Sequence, residues 1–331
     1  MDNIRHKKTK SRGIIRLEYL FFLMFYKTLE WMPLAFSMKM ASSSLKLLFF
    51  IDRRHAQRTI RHIMYSGLET DPVKAKKLAL ANFAEFGKLL VEIAKIRKLY
   101  SLDKVRFSGS ENTRKIFFDK DGKRQFILAS AHYGNWEVAG SLLAEAGNIS
   151  IVSLMRSFAN PLIGEKILSH RSNANHELVD KTKGLRPILQ AINQGKSVSM
   201  VVDQHAASAE GVEVEFFGHP ARQHKTPALL HLKTGLPIIP VLIRRTSDNF
   251  EFECIFGEVI APASTGDKER DIAYITQQVA WSIEDIIRQD PVQWLLSPRH
   301  WLSIERRQAA EYANWKPRFS RSELEHSKIQ E

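Results

Sequence analysis

The stretch FILASAHYGNWEVAGSLLAEA, residues 126–146, decides the fold. Its first six residues are almost wholly apolar, as in a strand that is buried on both faces. From Asn135 onward, apolar side chains recur at helical spacing instead: Trp136, Ala139, Leu143 and Ala146. A buried strand that leads directly into a helix is typical of α/β proteins. The turn between the two elements contains His132 and Glu137, so the turn is itself a candidate site.

The same alternation of strands and helices continues along the chain. We expect strands over Phe126–Ala131, Ile149–Leu154, Ser197–Val202, Val212–Phe217, Leu236–Ile243 and Phe250–Phe256. We expect helices over 72–98, Asn135–Ala146, Leu185–Gln194, Thr226–Thr234 and Lys268–Arg288. Buried strands separated by helices predict an α/β fold, in which helices flank both faces of a central sheet.

The composition is typical of a globular protein that works on an acidic partner. The chain has 331 residues, of which 44% are hydrophobic and 26% charged, and its formal net charge is +13. Such a charge favours nucleic acid, anionic lipid or an acidic protein as the partner. Cys254 is the only cysteine, which excludes a disulfide framework and a cysteine-based metal site and is typical of a reducing compartment. We expect neither a metal nor a cofactor.

The N-terminal region combines most of this charge with the most apolar segment of the chain. Residues 1–65 contain 13 Lys and Arg against four Asp and Glu, and Ile14–Leu34 is rich in aromatic residues and leucine. That composition is typical of a helix that lies in the membrane interface. The uncharged core, Tyr19–Tyr26, has only eight residues, whereas a spanning helix needs about 20. An ordinary core helix is the alternative.

The charges around this region predict its orientation and the division of the chain. Basic residues both precede it, from Arg5 to Arg12, and follow it, from Arg53 to Arg61. Because positive charge prefers the cytoplasmic side of a membrane, we expect the main domain in the cytoplasm. The expected parts are a membrane-anchoring helical region, 1–66, an α/β catalytic domain, 67–315, and a loose polar tail, 316–331.

Several catalytic motifs are absent from the sequence. It contains neither the G-x-S-x-G of serine hydrolases nor the G-x-G-x-x-G of dinucleotide-binding folds. The stretch QAINQGKS ends like a phosphate loop, but Gln190 stands where that motif needs its first glycine. The histidines at 205, 219, 224 and 231 are too irregularly spaced to predict a metal site.

His132 and Glu137 form the candidate catalytic pair. Reactive groups in open α/β sheets lie beyond the carboxyl ends of strands, and His132 follows such an end. Asn135 is a good N-cap, which places Glu137 in the first helical turn, within reach of the imidazole. A carboxylate bonded to one ring nitrogen fixes the tautomer and raises the basicity of the other. Gly134 leaves room for a substrate, and N–H groups at the helix start can bind a developing oxyanion. The alternative is a pair that only caps and solvates the helix.

The turn also resembles a known family. HYGNWE is similar to the H-x4-[D/E] motif of the lysophospholipid acyltransferase superfamily, and more narrowly to that of the bacterial lipid A late acyltransferases. Three further blocks resemble that family in the same order: MRSFANP at 155–161, the segment 183–205 ending in Asp-Gln, and VEFFGHPARQHKTPALL at 214–230. The resemblance spans about residues 70–302. It implies a glycerol-3-phosphate acyltransferase-like fold with a central mixed sheet, preceded by membrane-associated helices.

The resemblance implies an enzyme of lipopolysaccharide biosynthesis. Such an enzyme transfers a fatty acyl chain from acyl carrier protein to a hydroxyl of a lipid A precursor, at the cytoplasmic face of the cell inner membrane. A basic chain suits both partners and an anionic membrane surface. His132 would be the general base and Glu137 the group that orients it.

The resemblance also assigns substrate-binding residues. Arg156 and Asp203 each follow a predicted strand, so both belong at the same edge of the sheet. Arg156 is expected to bind a phosphate or the oxyanion, and Asp203 to orient Arg156 or a substrate hydroxyl. The full substrate-binding set is Gly134, Asn135, Arg156, Asp203 and Gln204.

One segment departs from the family pattern, and other functions stay open. In PVQWLLSPRHW, residues 291–301, the residues Leu296, Pro298 and His300 stand where a second tryptophan and a basic cluster are expected. The alternatives are an acyltransferase acting on another glycolipid or a lysophospholipid, a thioesterase on the same scaffold, and a nucleic-acid-binding protein. No recognition-helix, RNA-binding-sheet or zinc pattern is present, so we expect no nucleic acid partner.

Overall fold

The computed structural model describes residues 11–122, 124–155, 158–168, 175–180, 184–260, 265–301 and 314–322. The helices are α1 (Arg12–Trp31), α2 (Leu34–Ile51), α3 (Arg53–Tyr65), α4 (Pro72–Leu99), α5 (Glu111–Phe118), α6 (Trp136–Gly147), α7 (Pro161–Leu168), α8 (Arg186–Asn193), α9 (Thr226–Thr234) and α10 (Lys268–Gln289). The strands are β1 (Val105–Gly109), β2 (Ile127–Ser130), β3 (Ile151–Met155), β4 (His176–Asp180), β5 (Ser197–Val201), β6 (Gly211–Phe216), β7 (His219–His224), β8 (Ile238–Ser247) and β9 (Glu251–Phe256).

The central sheet is mixed. Within the described residues it has seven strands, in the order β1-β9-β8-β2-β5-β3-β4. The five strands from β8 to β4 run parallel, β9 is antiparallel to β8, and β1 is parallel to β9. The carboxyl ends of the five parallel strands therefore meet at one edge of the sheet, here called the carboxyl edge.

Helices cover both faces of this sheet because alternate strand residues point to opposite sides. Ile127 of β2 belongs to a core that includes Ile188 of α8 and Ile283 of α10. The next residue, Leu128, belongs to a second core, which includes Leu142 of α6. The α/β prediction, with a central mixed sheet flanked by helices, is therefore confirmed.

A capping residue explains why the long helix α4 begins where the sequence predicted. The side chain of Asp71 accepts a hydrogen bond from the backbone N–H of Lys74 at 2.8 Å, and Pro72 is the first residue of α4. The predicted helix 72–98 ends one residue short of Leu99, and the predicted bounds of α9 agree with those observed.

The predicted strand Val212–Phe217 exists, as β6, but it lies outside the central sheet. It pairs antiparallel with β7 and forms a separate hairpin. Phe217 and Gly218 have φ values of 54° and 75°, which is the conformation of a two-residue hairpin turn. The hairpin packs against α10, where the side chain of Gln277 accepts a bond from the N–H of Glu215 at 2.7 Å.

The helices α1, α2 and α3 pack directly against α4. Gly87 of α4 lies so close to α2 that a Cβ on it would be 2.4 Å from the carbonyl oxygen of Ala41. Tyr26 of α1 donates to the carbonyl oxygen of Ala94 at 3.2 Å. The region predicted as an anchor therefore shares a core with the region predicted as catalytic. Residues 1–10 lie outside the described residues.

Both α1 and α2 also leave large apolar side chains exposed. Phe21 is 61% exposed, Trp31 is 87% exposed and Ile51 is 69% exposed. Among the described helices, α2 has the length and composition needed to cross a membrane. An exposed apolar surface of this size marks an interaction site, and it supports the predicted membrane association.

Residues 316–322 of the predicted polar tail contact α10. Phe319 packs against Trp281 and Tyr274 of α10, and Arg321 bonds Asp285 at 2.6 Å. The aromatic ring of Phe319 holds the segment against α10, because burying the ring removes a large apolar area from water. Residues 323–331 lie outside the described residues.

Candidate active site

The register of two neighbouring strands brings His132 and Asp203 together. Ser130 of β2 pairs with Val201 of β5 in the parallel sheet. His132 and Asp203 each lie two residues beyond this pair, at the carboxyl edge. Their side chains meet there, with Nδ1 of His132 2.8 Å from Oδ1 of Asp203. The imidazole remains 25% exposed, whereas the carboxylate is wholly buried.

Asp203 is held as a carboxylate. Burial by itself raises the pKa of this carboxyl, but the charge and hydrogen bond of His132 outweigh burial, and with the bond from Trp294 they hold the pKa at about 2. The indole Nε1 of Trp294 donates to Oδ2 of Asp203 at 2.9 Å. An ionised acceptor on Nδ1 requires the proton on that nitrogen, which leaves Nε2 free to act as a base.

Two other side chains contact the imidazole. The amide nitrogen of Gln204 lies 3.2 Å from Nδ1 and 3.5 Å from Nε2 of His132. The ring of Trp136 meets the imidazole edge-on, with 5.3 Å between ring centroids. The predicted residue Gln204 therefore reaches the reactive ring itself.

The segment 291–301 forms the wall behind this pair. Nδ1 of His300 lies 3.0 Å from the carbonyl oxygen of Asp203, and Nε2 lies 3.0 Å from that of Leu295. The N–H of Leu295 donates to the carbonyl oxygen of His132 at 2.8 Å. Sequence reasoning missed the parts played by Trp294 and His300, and treated His300 only as a departure from the family pattern. The sequence signal that could have indicated this role was Trp294 itself, a tryptophan in a short apolar segment.

Gly134 is required by the backbone around it. Its φ is +53°, and a Cβ on it would lie 2.0 Å from the carbonyl oxygen of Ile243. Its N–H donates to the carbonyl oxygen of Gln293 at 3.0 Å, and the N–H of Asn135 donates to that of Ile243 at 3.2 Å. These two N–H groups are therefore already bonded, and the expected binding of an oxyanion by N–H groups at the helix start stays a prediction. Close packing of the backbone around residue 134 therefore explains why that residue is glycine.

Asn135 occupies the N-cap position of α6, but its side chain makes no capping bond. It donates instead to Oε2 of Glu92 at 3.0 Å. Glu92 is fully buried and forms an ion pair with Arg245, with 2.8 Å between Nη2 and Oε2. Burial raises the pKa of Glu92 although Arg245 opposes the shift. Asn135 thus ties the turn to a buried ion pair, and its predicted contact with substrate stays a prediction.

Glu137 lies in the first turn of α6, as predicted, and the carboxylate that bonds Nδ1 of His132 is that of Asp203. It lines a cavity between α6 and the sheet together with Ser153 and His176. Asp203 takes the position expected for Glu137, because the strand register directs Asp203 to the ring while the helix directs Glu137 to the cavity. Arg156 lies outside the described residues.

Within the described residues, no group of three His, Cys, Asp or Glu side chains is arranged to hold a metal ion.

An accessible imidazole, held by a buried carboxylate at the carboxyl edge of an α/β sheet, defines a general-base site of the kind that activates a hydroxyl group or water. The sequence model of the family described as "Bacterial lipid A biosynthesis acyltransferase" matches residues 4–303. The chain belongs to this family, as the resemblance of its motifs predicted.

Two mycobacterial proteins are similar to part of the chain. A phosphatidylinositol mannoside acyltransferase of Mycobacterium tuberculosis is 24% identical over 180 residues, which is 54% of this chain and 54% of that protein. One from Mycolicibacterium smegmatis is 26% identical over 195 residues, 56% of this chain and 61% of that protein. The chain spans about half the length of the curated relatives it matches.

One solved structure is also similar. It is a 1-acyl-sn-glycerophosphate acyltransferase from Thermotoga maritima, with 18% sequence identity and a TM-score of 0.33, and the match covers 75% of this chain and 97% of that one.

Proposed function

We propose that this protein is an acyltransferase that moves a fatty acyl chain from an acyl thioester to a hydroxyl group of a lipid. The observation that carries the proposal is the His132–Asp203 pair, an accessible base held by a buried carboxylate. A lipid hydroxyl is a weak nucleophile near neutral pH and needs such a base. Membership of an acyltransferase family supports acyl transfer as the reaction.

In the proposed reaction, Nε2 of His132 takes the proton of the acceptor hydroxyl while that oxygen attacks the thioester carbonyl carbon. The Nδ1–H stays bonded to Asp203, whose charge stabilises the imidazolium as it forms. The tetrahedral intermediate then expels the thiolate, which takes the proton back from Nε2. A C–O bond replaces the C–S bond, and the base returns to its starting state.

The reaction needs no acyl-enzyme intermediate. Cys254 is fully buried in β9, and burial raises the pKa of its thiol well above the usual range. A buried thiol of this kind is unreactive, because the thiolate is the nucleophilic form. Direct attack by the acceptor is therefore the simpler course.

We further propose acyl carrier protein as the donor's carrier and a lipid A precursor as the acceptor, in lipopolysaccharide biosynthesis at the cytoplasmic face of the inner membrane. The description of the family supports the acceptor, and the net charge of +13 suits an acidic carrier and a phosphorylated lipid. The exposed apolar side chains of α1 and α2 support the membrane location. The mycobacterial relatives support a glycolipid acceptor more generally.

Three residues complete the proposed site. Gln204 touches the imidazole, so it is placed to contact the hydroxyl that the base activates. Arg156 is proposed to bind a phosphate or the oxyanion, and Glu137 to act in the neighbouring cavity, which its side chain lines. Asp203 orients the base, which replaces the substrate contact expected from the sequence.

The test is an incubation of the purified protein with acyl carrier protein that bears a labelled fatty acyl chain, together with a lipid A precursor. Label in the lipid product, absent with His132→Ala, supports the proposal. Label only in free fatty acid indicates a thioesterase. Transfer to another glycolipid or to a lysophospholipid, but not to the lipid A precursor, keeps the reaction and replaces the acceptor.

A further inference from the structure

One face of α3 consists of arginine. Arg53, Arg54 and Arg61 are exposed and Arg58 is half-buried, while the opposite face packs Ala56, Thr59, His62 and Ile63 into the protein. Arg54, Arg58 and Arg61 follow one another at helical spacing of four and three residues, so their side chains form a single row. We call the four arginines the arginine face.

In the part of the chain that the structure describes, no carboxylate forms an ion pair with this face. Asp52, the nearest acid in the sequence, is bonded to His55, although the charge of Arg54 also acts on it. Four unpaired like charges on thirteen residues repel one another. The repulsion is relieved when an external anionic surface lies against the helix.

The residues that lead into the arginine face are apolar and exposed. At the end of α2, Leu47 is 61% exposed, Phe50 is 56% exposed and Ile51 is 69% exposed. Arg53 follows Ile51 after a single residue. Apolar side chains beside arginines suit a lipid bilayer, where the former lie below the headgroups and the latter at the level of the phosphates.

The arginine face lies on the same edge of the sheet as the candidate active site. His62, on the buried side of α3, has Nδ1 2.6 Å from the carbonyl oxygen of Leu296. The preceding residue, Leu295, donates its N–H to the carbonyl oxygen of His132. A surface bound by α3 would therefore lie beside the edge at which His132 works.

We infer that the arginine face binds the anionic phosphate headgroups of a lipid bilayer and holds the carboxyl edge of the sheet beside the membrane. Each arginine near an anionic surface contributes about a fivefold factor to affinity, and the attraction is screened by salt. The apolar residues of α1 and α2 bind any bilayer, whereas the arginine face makes the binding depend on lipid charge. The inference concerns binding alone and holds whether or not the protein transfers acyl chains.

The experiment is flotation of the full chain with phosphatidylcholine vesicles, with and without added phosphatidylglycerol, and without donor or acceptor. The triple variant Arg54→Gln/Arg58→Gln/Arg61→Gln should bind anionic vesicles about a hundredfold more weakly than the unaltered protein, because three charges are lost. Binding to phosphatidylcholine alone should not change. Since all three side chains reach solvent, the thermal unfolding transition should stay the same and report that the fold is retained.

A matched control removes three exposed lysines at the opposite edge of the sheet. Lys120 follows α5, Lys233 lies in the last turn of α9, and Lys268 begins α10. Lys120 and Lys233 lie on the segments that lead into β2 and β8. Lys268 follows β9, which is antiparallel to β8, so it also lies near the amino end of β8. The variant Lys120→Gln/Lys233→Gln/Lys268→Gln should bind anionic vesicles nearly as well as the unaltered protein.

Three outcomes would overturn the inference. The first is equal binding of both triple variants to anionic vesicles, which would show that binding depends only on the net charge of the protein. The second is an equal loss on neutral and anionic vesicles. The third is unchanged vesicle binding with weakened binding to purified acyl carrier protein, which would assign the arginine face to that acidic protein instead.

Discussion

Two buried polar networks hold the turn that carries His132, and they differ in the group that each carboxylate contacts. In the first, the carboxylate of Asp203 is directed at the imidazole and receives its second bond from the neutral indole of Trp294. In the second, the carboxylate of Glu92 is paired with Arg245 and reaches the turn only through Asn135. The first network meets the reactive ring, whereas the second fixes the backbone that presents it.

The two networks therefore have different roles: the first acts on the imidazole of His132, and the second holds the turn in place. A carboxylate with no other cation beside it stabilises the positive charge that the imidazole gains during the reaction. Once Arg245 neutralises it, a carboxylate has little long-range effect, but its fixed geometry can hold a turn in place. We therefore expect the two networks to give different kinetic signatures when each is altered.

Removal of the base has the largest expected effect. His132→Ala should lower the rate of acyl transfer by about 10²–10⁴-fold, the usual contribution of a general base. Initial rates with labelled donor measure the loss. His224→Ala, on the β6–β7 hairpin, is the matched control and should leave the rate nearly unchanged. A folded His132→Ala protein with near-normal turnover would contradict the assignment.

Removal of the charge that orients the base should have the second largest effect on the rate. Asp203→Asn should lower kcat by about 10²–10³-fold, because the amide neither fixes the tautomer nor stabilises the imidazolium. Asp248→Asn, at an exposed aspartate paired with Lys88, is the control for the same chemical change. An equal kcat in the two variants would show that Asp203 has only a structural role.

The same carboxyl should also make stability depend on pH. Its pKa is about 2 in the folded protein against an ordinary 3.8, so it adds stability that is present above about pH 4 and is lost as the pH falls toward 2. The contribution is about 2 kcal/mol. The free energy of unfolding, measured against pH, should therefore fall more in the unaltered protein than in Asp203→Asn over this window. Parallel curves would refute the depressed pKa.

The positioning network should have the smallest effect. Asn135→Asp places a second carboxylate against Glu92, and the resulting shift of the turn should lower kcat by about tenfold. The shape of the pH–rate profile should not change, because neither residue touches the imidazole. Asn249→Asp, at an exposed turn, is the control. A displaced profile would mean that this network also tunes the base.

The sequence was most informative where a local pattern decides the structure. The helix α4 begins at Pro72, the helix α9 has Pro227 as its second residue, and both carry apolar side chains at helical spacing, so the local sequence predicted their bounds. The strands β1, β4 and β7 were not predicted. They are short and contain histidine or charged residues, so they lack the apolar run by which the other strands were predicted.

The partner of His132 could not be predicted in the same way. Asp203 was placed correctly at the end of a strand, but its contact with the ring depends on the pairing of Ser130 with Val201, which is a long-range register. Trp294 reaches the same carboxylate from a segment about ninety residues further along the chain. A local motif therefore favoured Glu137, since it is close to His132 in sequence, although the fold directs it elsewhere.

The kcat of acyl transfer, measured side by side in the unaltered protein, Asp203→Asn and Glu137→Gln, tests the central claim most directly. We predict that Asp203→Asn has the larger loss of kcat, because its amide neither fixes the tautomer of His132 nor stabilises the imidazolium that forms during the reaction. Glu137→Gln should lower kcat by a smaller factor, since the side chain of Glu137 lines the neighbouring cavity. A larger loss of kcat in Glu137→Gln than in Asp203→Asn would contradict the assignment of Asp203 as the group that orients the base.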